Sequence, residues 1–132
     1  MIGLDTSAII DLGRGVPSVK KILEKEDSIT VNRISYVELM FGINTEKQSH
    51  KKEEELYDAL FEEAPCCELS KEAAKKASKI FQELKKKGKT IGEADCLIAA
   101  LYLTNGVTTI MTKNVKHFEN IPGLKVVSYE YE

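Results

Sequence analysis

The chain has 132 residues, of which 42% are apolar and 30% charged. That is one domain's worth of protein with a core and a solvated surface, which excludes a disordered tail and a repeat array. Nineteen Lys and Arg against 21 Asp and Glu leave a net charge of −2, which excludes coating nucleic acid through bulk charge but leaves room for a local basic patch.

Ile2 to Leu4 reads as a short buried strand, closed by Asp5-Thr6-Ser7. A helix follows from Ser7 to Leu12, with Thr6 or Ser7 near its cap, and Gly13 and Gly15 break it. Pro17 opens a second helix that runs to about Lys25, with Val19, Ile22 and Leu23 at helical spacing. Ser28 to Val31 is a second strand, and Ser35 to Ile43 a third helix entered through Asn32. Gln48 to Glu63 is a charged helix with one apolar stripe (Leu56, Tyr57, Leu60, Phe61), ended by Pro65. Cys66 to Leu69 is a short strand. Ser70 caps a strongly amphipathic helix that Gly88 stops. Gly92 to Thr104 is a nearly all-apolar helix, hence buried, and Asn105-Gly106 turns the chain into a strand from Val107 to Met111. Thr112 to Asn120 is a polar loop with room for one helical turn, and Leu124 to Val127 is the last strand.

Short strands alternating with helices predict a single α/β domain over 1–132 with a mainly parallel sheet of four or five strands. No linker or low-complexity segment divides it. No apolar run approaches the about 18 residues that a membrane span needs, and the opening residues meet an acid at once, unlike a secretory signal. Cys66, Cys67 and Cys96 match neither a disulfide nor a zinc spacing, so reduced thiols in a cytoplasmic protein are expected.

Three acids stand in unfavourable places. Asp5 follows the first strand at its carboxyl end, where open α/β sheets bind ligands. Glu38 is set among Tyr36, Val37, Leu39, Met40 and Phe41, and Asp95 opens the run Ala-Asp-Cys-Leu-Ile-Ala-Ala-Leu. Each has a purely structural explanation. Asp5 can cap a helix, Asp95 sits where the helix dipole favours an anion, and Arg33 can pair with one of them. Three together are more economically explained by convergence. Carboxylates that approach one another raise each other's pKa, and a divalent cation removes that penalty. An all-oxygen site favours Mg²⁺ or Mn²⁺ over zinc and suits phosphodiester hydrolysis.

The segments Leu4-Asp5-Thr6-Ser7, Ser35-Tyr36-Val37-Glu38-Leu39-Met40-Phe41-Gly42, Asp95-Cys96-Leu97-Ile98-Ala99-Ala100, Thr112-Lys113-Asn114-Val115-Lys116-His117-Phe118 and Ile121-Pro122-Gly123-Leu124 resemble, in order and spacing, a PIN domain of the VapC-type toxin ribonucleases. The resemblance spans essentially the whole chain. It implies an α/β/α sandwich, and a Mg²⁺- or Mn²⁺-dependent endoribonuclease with Asp5, Glu38 and Asp95 as its catalytic, metal-binding acids. It also implies a homodimer held inactive by a VapB-like antitoxin whose segment blocks the site. Exposed apolar residues on the second and fourth helices would suit the dimer face. The family often carries a fourth acid after the fourth strand. Here Asn114 and His117 stand in that stretch, which leaves one or two ions open; Asn114 can orient a water, and His117 reads better as a loop residue than as a phosphate contact.

Thr6, Ser7 and Thr112 are supporting candidates, with hydroxyls beside the first acid or at the end of a buried strand. Lys85, Lys86, Lys87 and Lys89, around Gly88, and Arg14, between two glycines, are candidate RNA contacts. Two other readings stay open: a PIN nuclease of ordinary RNA processing, and a PIN-like domain that binds a partner without catalysis. No glycine fingerprint of a dinucleotide or P-loop site follows the first strand.

Overall fold

The computed structural model describes residues 1–130. Five strands form one parallel sheet: β1 (Ile2–Leu4), β2 (Ile29–Asn32), β3 (Cys66–Cys67), β4 (Thr109–Thr112) and β5 (Lys125–Ser128), in the order β3-β2-β1-β4-β5. Six helices connect them: α1 (Thr6–Gly13), α2 (Pro17–Leu23), α3 (Arg33–Phe41), α4 (Gln48–Glu63), α5 (Lys71–Lys86) and α6 (Glu93–Thr104). The chain winds outward from β1 through β2 to β3, then returns to the other side of β1 with β4. The carboxyl ends of β1 and β4 therefore flank the point where the winding reverses, the place where α/β sheets open a crevice.

Strand alternation sends side chains to two cores. Ile110 packs with α5 and α6, while its neighbour Met111 packs with α1, α2 and Tyr57 of α4. This is the predicted α/β/α sandwich with a parallel sheet. One contact sets the spacing of sheet and helix. The Tyr102 ring of α6 lies over Gly3, and a Cβ there would come within 2.8 Å of ring carbons. Glycine is required at that position by close approach rather than by backbone conformation.

Several element boundaries move by one or two residues, and three of the moves have a hydrogen-bonding reason. Asp5, rather than Thr6 or Ser7, caps α1, because its Oδ1 accepts from the Ala8 N–H at 2.9 Å. β4 begins at Thr109 rather than Val107, whose N–H closes the end of α6 onto Tyr102 O at 2.9 Å. β3 is only two residues long, and β5 starts at Lys125 because the Leu124 N–H turns back to Ile121 O. The loop after β4 contains one 3₁₀ turn, Val115–His117. Cys66 is half-buried, Cys67 and Cys96 are buried, and all three are free thiols.

The second helix does not offer the apolar surface expected of it. Val19 and Leu23 are buried, and the exposed large apolar residues of this side are Val37 and Phe41 on α3 and Leu56 on α4. The α2 stripe is consumed by the core beneath it. Among the described residues no helix is long and apolar enough to cross a membrane.

Candidate active site

Asp5 leaves the end of β1 and turns its carboxylate into the crevice. Its Oδ1 accepts from the Ala8 N–H and from Ser7 Oγ at 2.7 Å, and its Oδ2 accepts from Thr112 Oγ1 at 2.5 Å. Thr112 is the last residue of β4, so this bond spans the switch point. The carboxylate is 4% exposed. Burial pushes its pKa above the usual carboxylate value, against the opposing pull of the Thr112, Ala8 and Ser7 bonds and the His117 charge.

Asp95 sits in the first turn of α6, half-buried, with Oδ2 2.9 Å from His117 Nδ1. Its pKa is also raised, first by burial. His117 lowers it, and the Glu38 and Asp5 carboxylates raise it. Asp95 therefore feels both other acids. Glu38 projects from the middle of α3 into solvent, with Oε1 2.7 Å from Thr6 Oγ1. The three acids come from the end of β1, the middle of α3 and the first turn of α6, near enough that the charges of Glu38 and Asp5 both reach Asp95.

They are not closed onto a point. Among the described residues no three His, Cys, Asp or Glu side chains stand close enough to hold a metal ion as placed. The chemistry of the donor set nonetheless fits a hard divalent cation. Apart from the His117 imidazole on Asp95, the groups at the site are carboxylates and hydroxyls, and a cation relieves the negative charge that Glu38 and Asp5 add to the burial of Asp95.

The supporting candidates divide. Thr112 bonds Asp5 directly; Ser7 bonds Asp5 and accepts from the Lys113 N–H at 3.2 Å; Thr6 bonds Glu38. Asn114 braces this cluster through its backbone N–H, which donates to Thr112 Oγ1 at 2.9 Å. Arg14 is exposed and lines a groove with Gly13, Glu38, Ile43, Leu56 and Tyr57. Lys85, Lys86, Lys87 and Lys89 are exposed in the turn from α5 into α6, the end of α6 that carries Asp95. Gly88 holds that turn with φ +68°.

Two sequence readings are corrected. Arg33 pairs with Glu68 on β3's flank (2.7 Å) and with none of the three acids. His117 is not a bystander in its loop, because it pairs with Asp95. Three further residues make contacts that the sequence did not announce. Asn32 and Ser35 are fully buried and join Thr6 to the backbone of β1. Asp11 is also fully buried, with Tyr129 Oη at 2.6 Å and Lys113 Nζ at 3.7 Å. It stands alone in Ala8-Ile9-Ile10-Asp11-Leu12, the signal that drew attention to Glu38 and Asp95.

Residues 2–124 match the PIN domain family. Over 130 residues the chain is 36% identical to "Ribonuclease VapC" of Rickettsia bellii (strain RML369-C), covering 95% of this chain and 93% of that protein. Its fold is similar to VapBC2 from Rickettsia felis, solved bound to a DNA fragment from their promoter, with a TM-score of 0.83, 24% identity, and 98% and 100% of the two chains covered. VapBC-1 from nontypeable Haemophilus influenzae matches with a TM-score of 0.80 and 26% identity over 97% and 98% of the chains.

Proposed function

The chain belongs to the PIN-domain family, and from that premise we propose that it is a metal-dependent endoribonuclease, the toxin of a VapBC-type toxin–antitoxin pair. What supports the chemistry is the placement of Asp5 at the switch point between β1 and β4, bonded to Thr112, with Asp95 near enough that the Glu38 and Asp5 charges add to the effect of its burial. In this reading residues 1–132 form one nuclease domain acting in the cytoplasm, where its three free thiols stay reduced.

Asp5, Glu38 and Asp95 would hold Mg²⁺ or Mn²⁺; when bound, the ion activates a water and neutralises charge on the phosphate and the leaving oxygen. The chain's own residues prepare for this. Three donors fix Asp5 in one orientation, so little freedom remains to be lost on binding. His117 shields Asp95 from its acidic neighbours. The Lys85 to Lys89 turn and Arg14 attract the RNA backbone to either side of an otherwise acidic crevice.

The proposed partners are RNA, a second copy of the chain in a homodimer, and a VapB-like antitoxin. Val37, Phe41 and Leu56 leave an apolar border beside the Glu38 groove, with Phe41 86% exposed. An antitoxin segment seated there would cover the acids. A second reading, a PIN-like domain that binds without cutting, draws on the acids not being closed together as placed. It predicts no Mn²⁺ binding at millimolar ion.

The deciding experiment incubates purified protein with total cellular RNA and maps the fragment ends. Discrete cuts with Mn²⁺ or Mg²⁺ that vanish in excess EDTA support the reading. Cleavage that survives EDTA, or no cleavage with either ion, contradicts it.

A further inference from the structure

Glu38 is exposed on a flexible side chain, yet it is the end of a chain of hydrogen bonds that begins in the core. Asn32 caps α3 by accepting from the Ser35 N–H at 2.8 Å, and its Nδ2 group donates to Ser35 Oγ at 2.9 Å. The same Nδ2 lies 3.0 Å from Tyr102 Oη and 3.2 Å from Leu4 O, so the amide is anchored to α6 and to β1 together. Tyr102 in turn donates to Leu4 O, and burial pushes its hydroxyl well above the usual phenol value, so it remains a donor. Ser35 Oγ lies 2.9 Å from Thr6 Oγ1, and Thr6 Oγ1 lies 2.7 Å from Glu38 Oε1.

The direction of this chain follows from counting protons. An ionised carboxylate only accepts, so the single hydroxyl proton of Thr6 goes to Glu38. Thr6 Oγ1 must then be the acceptor from Ser35, and Ser35 Oγ the acceptor from Asn32. From Asn32 through Ser35 to Thr6, each donor points toward Glu38. Asn32 and Ser35 are fully buried, where an unmet polar group is costly, so the arrangement has little freedom to reverse.

We propose that Ser35 is a positioning residue for the site: aimed by Asn32, it commits the Thr6 proton to Glu38 and holds that carboxylate toward Asp5 and Asp95. Its value for metal binding rests on the metal-dependent reading above; its effect on Glu38 does not. Ser35 lies one helical turn before Glu38, so both occupy the same face of α3. The chain also ties Glu38 to the Tyr102 anchor on α6, the helix that carries Asp95. Two acids from separate helices thus take their positions from one buried junction.

The test combines two readouts on wild type, Ser35→Ala, Glu38→Gln and the double variant. Mn²⁺ affinity is measured by calorimetry, and the Glu38 side-chain carboxyl ¹³C resonance by NMR without metal. Ser35→Ala should weaken Mn²⁺ binding about fivefold, the worth of one hydrogen bond, and add nothing once Glu38 is Gln. Without metal, its Glu38 resonance should move toward that of a freely rotating glutamate. Because Ser35→Ala leaves a void at a fully buried position and lowers stability, Thr6→Val provides a second break in the chain that spares the junction. It should reproduce both effects, and Thr6→Ser should restore them. An unchanged Glu38 resonance in Ser35→Ala and Thr6→Val, or an equal loss of Mn²⁺ affinity with and without the Glu38 carboxylate, overturns the proposal. Should wild type bind no Mn²⁺, the metal reading falls and the metal-free resonance alone decides the role of Ser35.

Discussion

Asp5 has two duties that oppose one another. As the cap of α1 it stabilises the fold, and as a buried anion it burdens it. Burial raises its pKa above 3.8, so its contribution to stability is complete below pH 3.8 and is lost as the pH rises through the raised folded value. At neutral pH the metal-free protein therefore carries a net penalty at this position. Asn caps a helix as well as Asp does. Asp5→Asn should accordingly melt at a higher temperature than wild type at pH 7 in EDTA, with the gap closing below pH 3.8. The same variant should lose about three decades of cleavage rate or more, judged from other lost electrostatic groups. Calorimetric scans across pH and a single-turnover assay check the pair; a lower melting point at pH 7 would refute the penalty. At this scale the sequence was partly legible. Asp5 and Asp95 are buried or half-buried acids, as their neighbours suggested. Glu38 is exposed, because Val37 and Phe41 beside it also face outward: neighbours along a helix are not neighbours in space. Asp11 was missed although it meets the same criterion, and only the fold reveals its Tyr129 and Lys113 partners.

The elements were legible because each has a physical boundary. Ser70 caps α5 through the Ala73 N–H at 3.0 Å, and the glycine-bearing turn after Lys87 ends that helix. What the sequence could not display is how closely elements approach. Gly3 looks like a weak spot in a buried strand, whereas it makes room for Tyr102. Gly3→Ala should lower stability by about 1–3 kcal/mol through overpacking, read from denaturant midpoints. The side chain that must yield is the one bonded to Leu4 O and Asn32, next to the crevice. Tyr102 is 98 residues away from Leu4 in sequence, so no local pattern announces that contact. A Gly3→Ala protein as stable as wild type would contradict the close packing of α6 on β1.

For the molecule as a whole, the architecture and the order of the acids could be read along the chain, but the closing of the crevice could not. His117 reaches Asp95 only because the loop after β4 folds back as a 3₁₀ turn. The net charge of −2 conceals the opposite signs of the crevice and the Lys85 to Lys89 turn. RNA binding should therefore fall steeply with salt. Measured on Asp5→Asn, so that nothing is cut, replacing Lys85, Lys86, Lys87 and Lys89 by Gln should flatten the log–log salt slope by up to about four, roughly one per phosphate contact. An unchanged slope would remove that turn from the RNA path.

Whether Asp5, Glu38 and Asp95 share a divalent cation is tested most directly by anomalous diffraction from crystals grown with Mn²⁺. A strong peak is expected within about 2.0–2.5 Å of carboxylate oxygens from at least two of these residues, and none in Asp5→Asn. A crystal saturated with Mn²⁺ that shows no peak there, or shows it only elsewhere, would mean that these acids hold no ion.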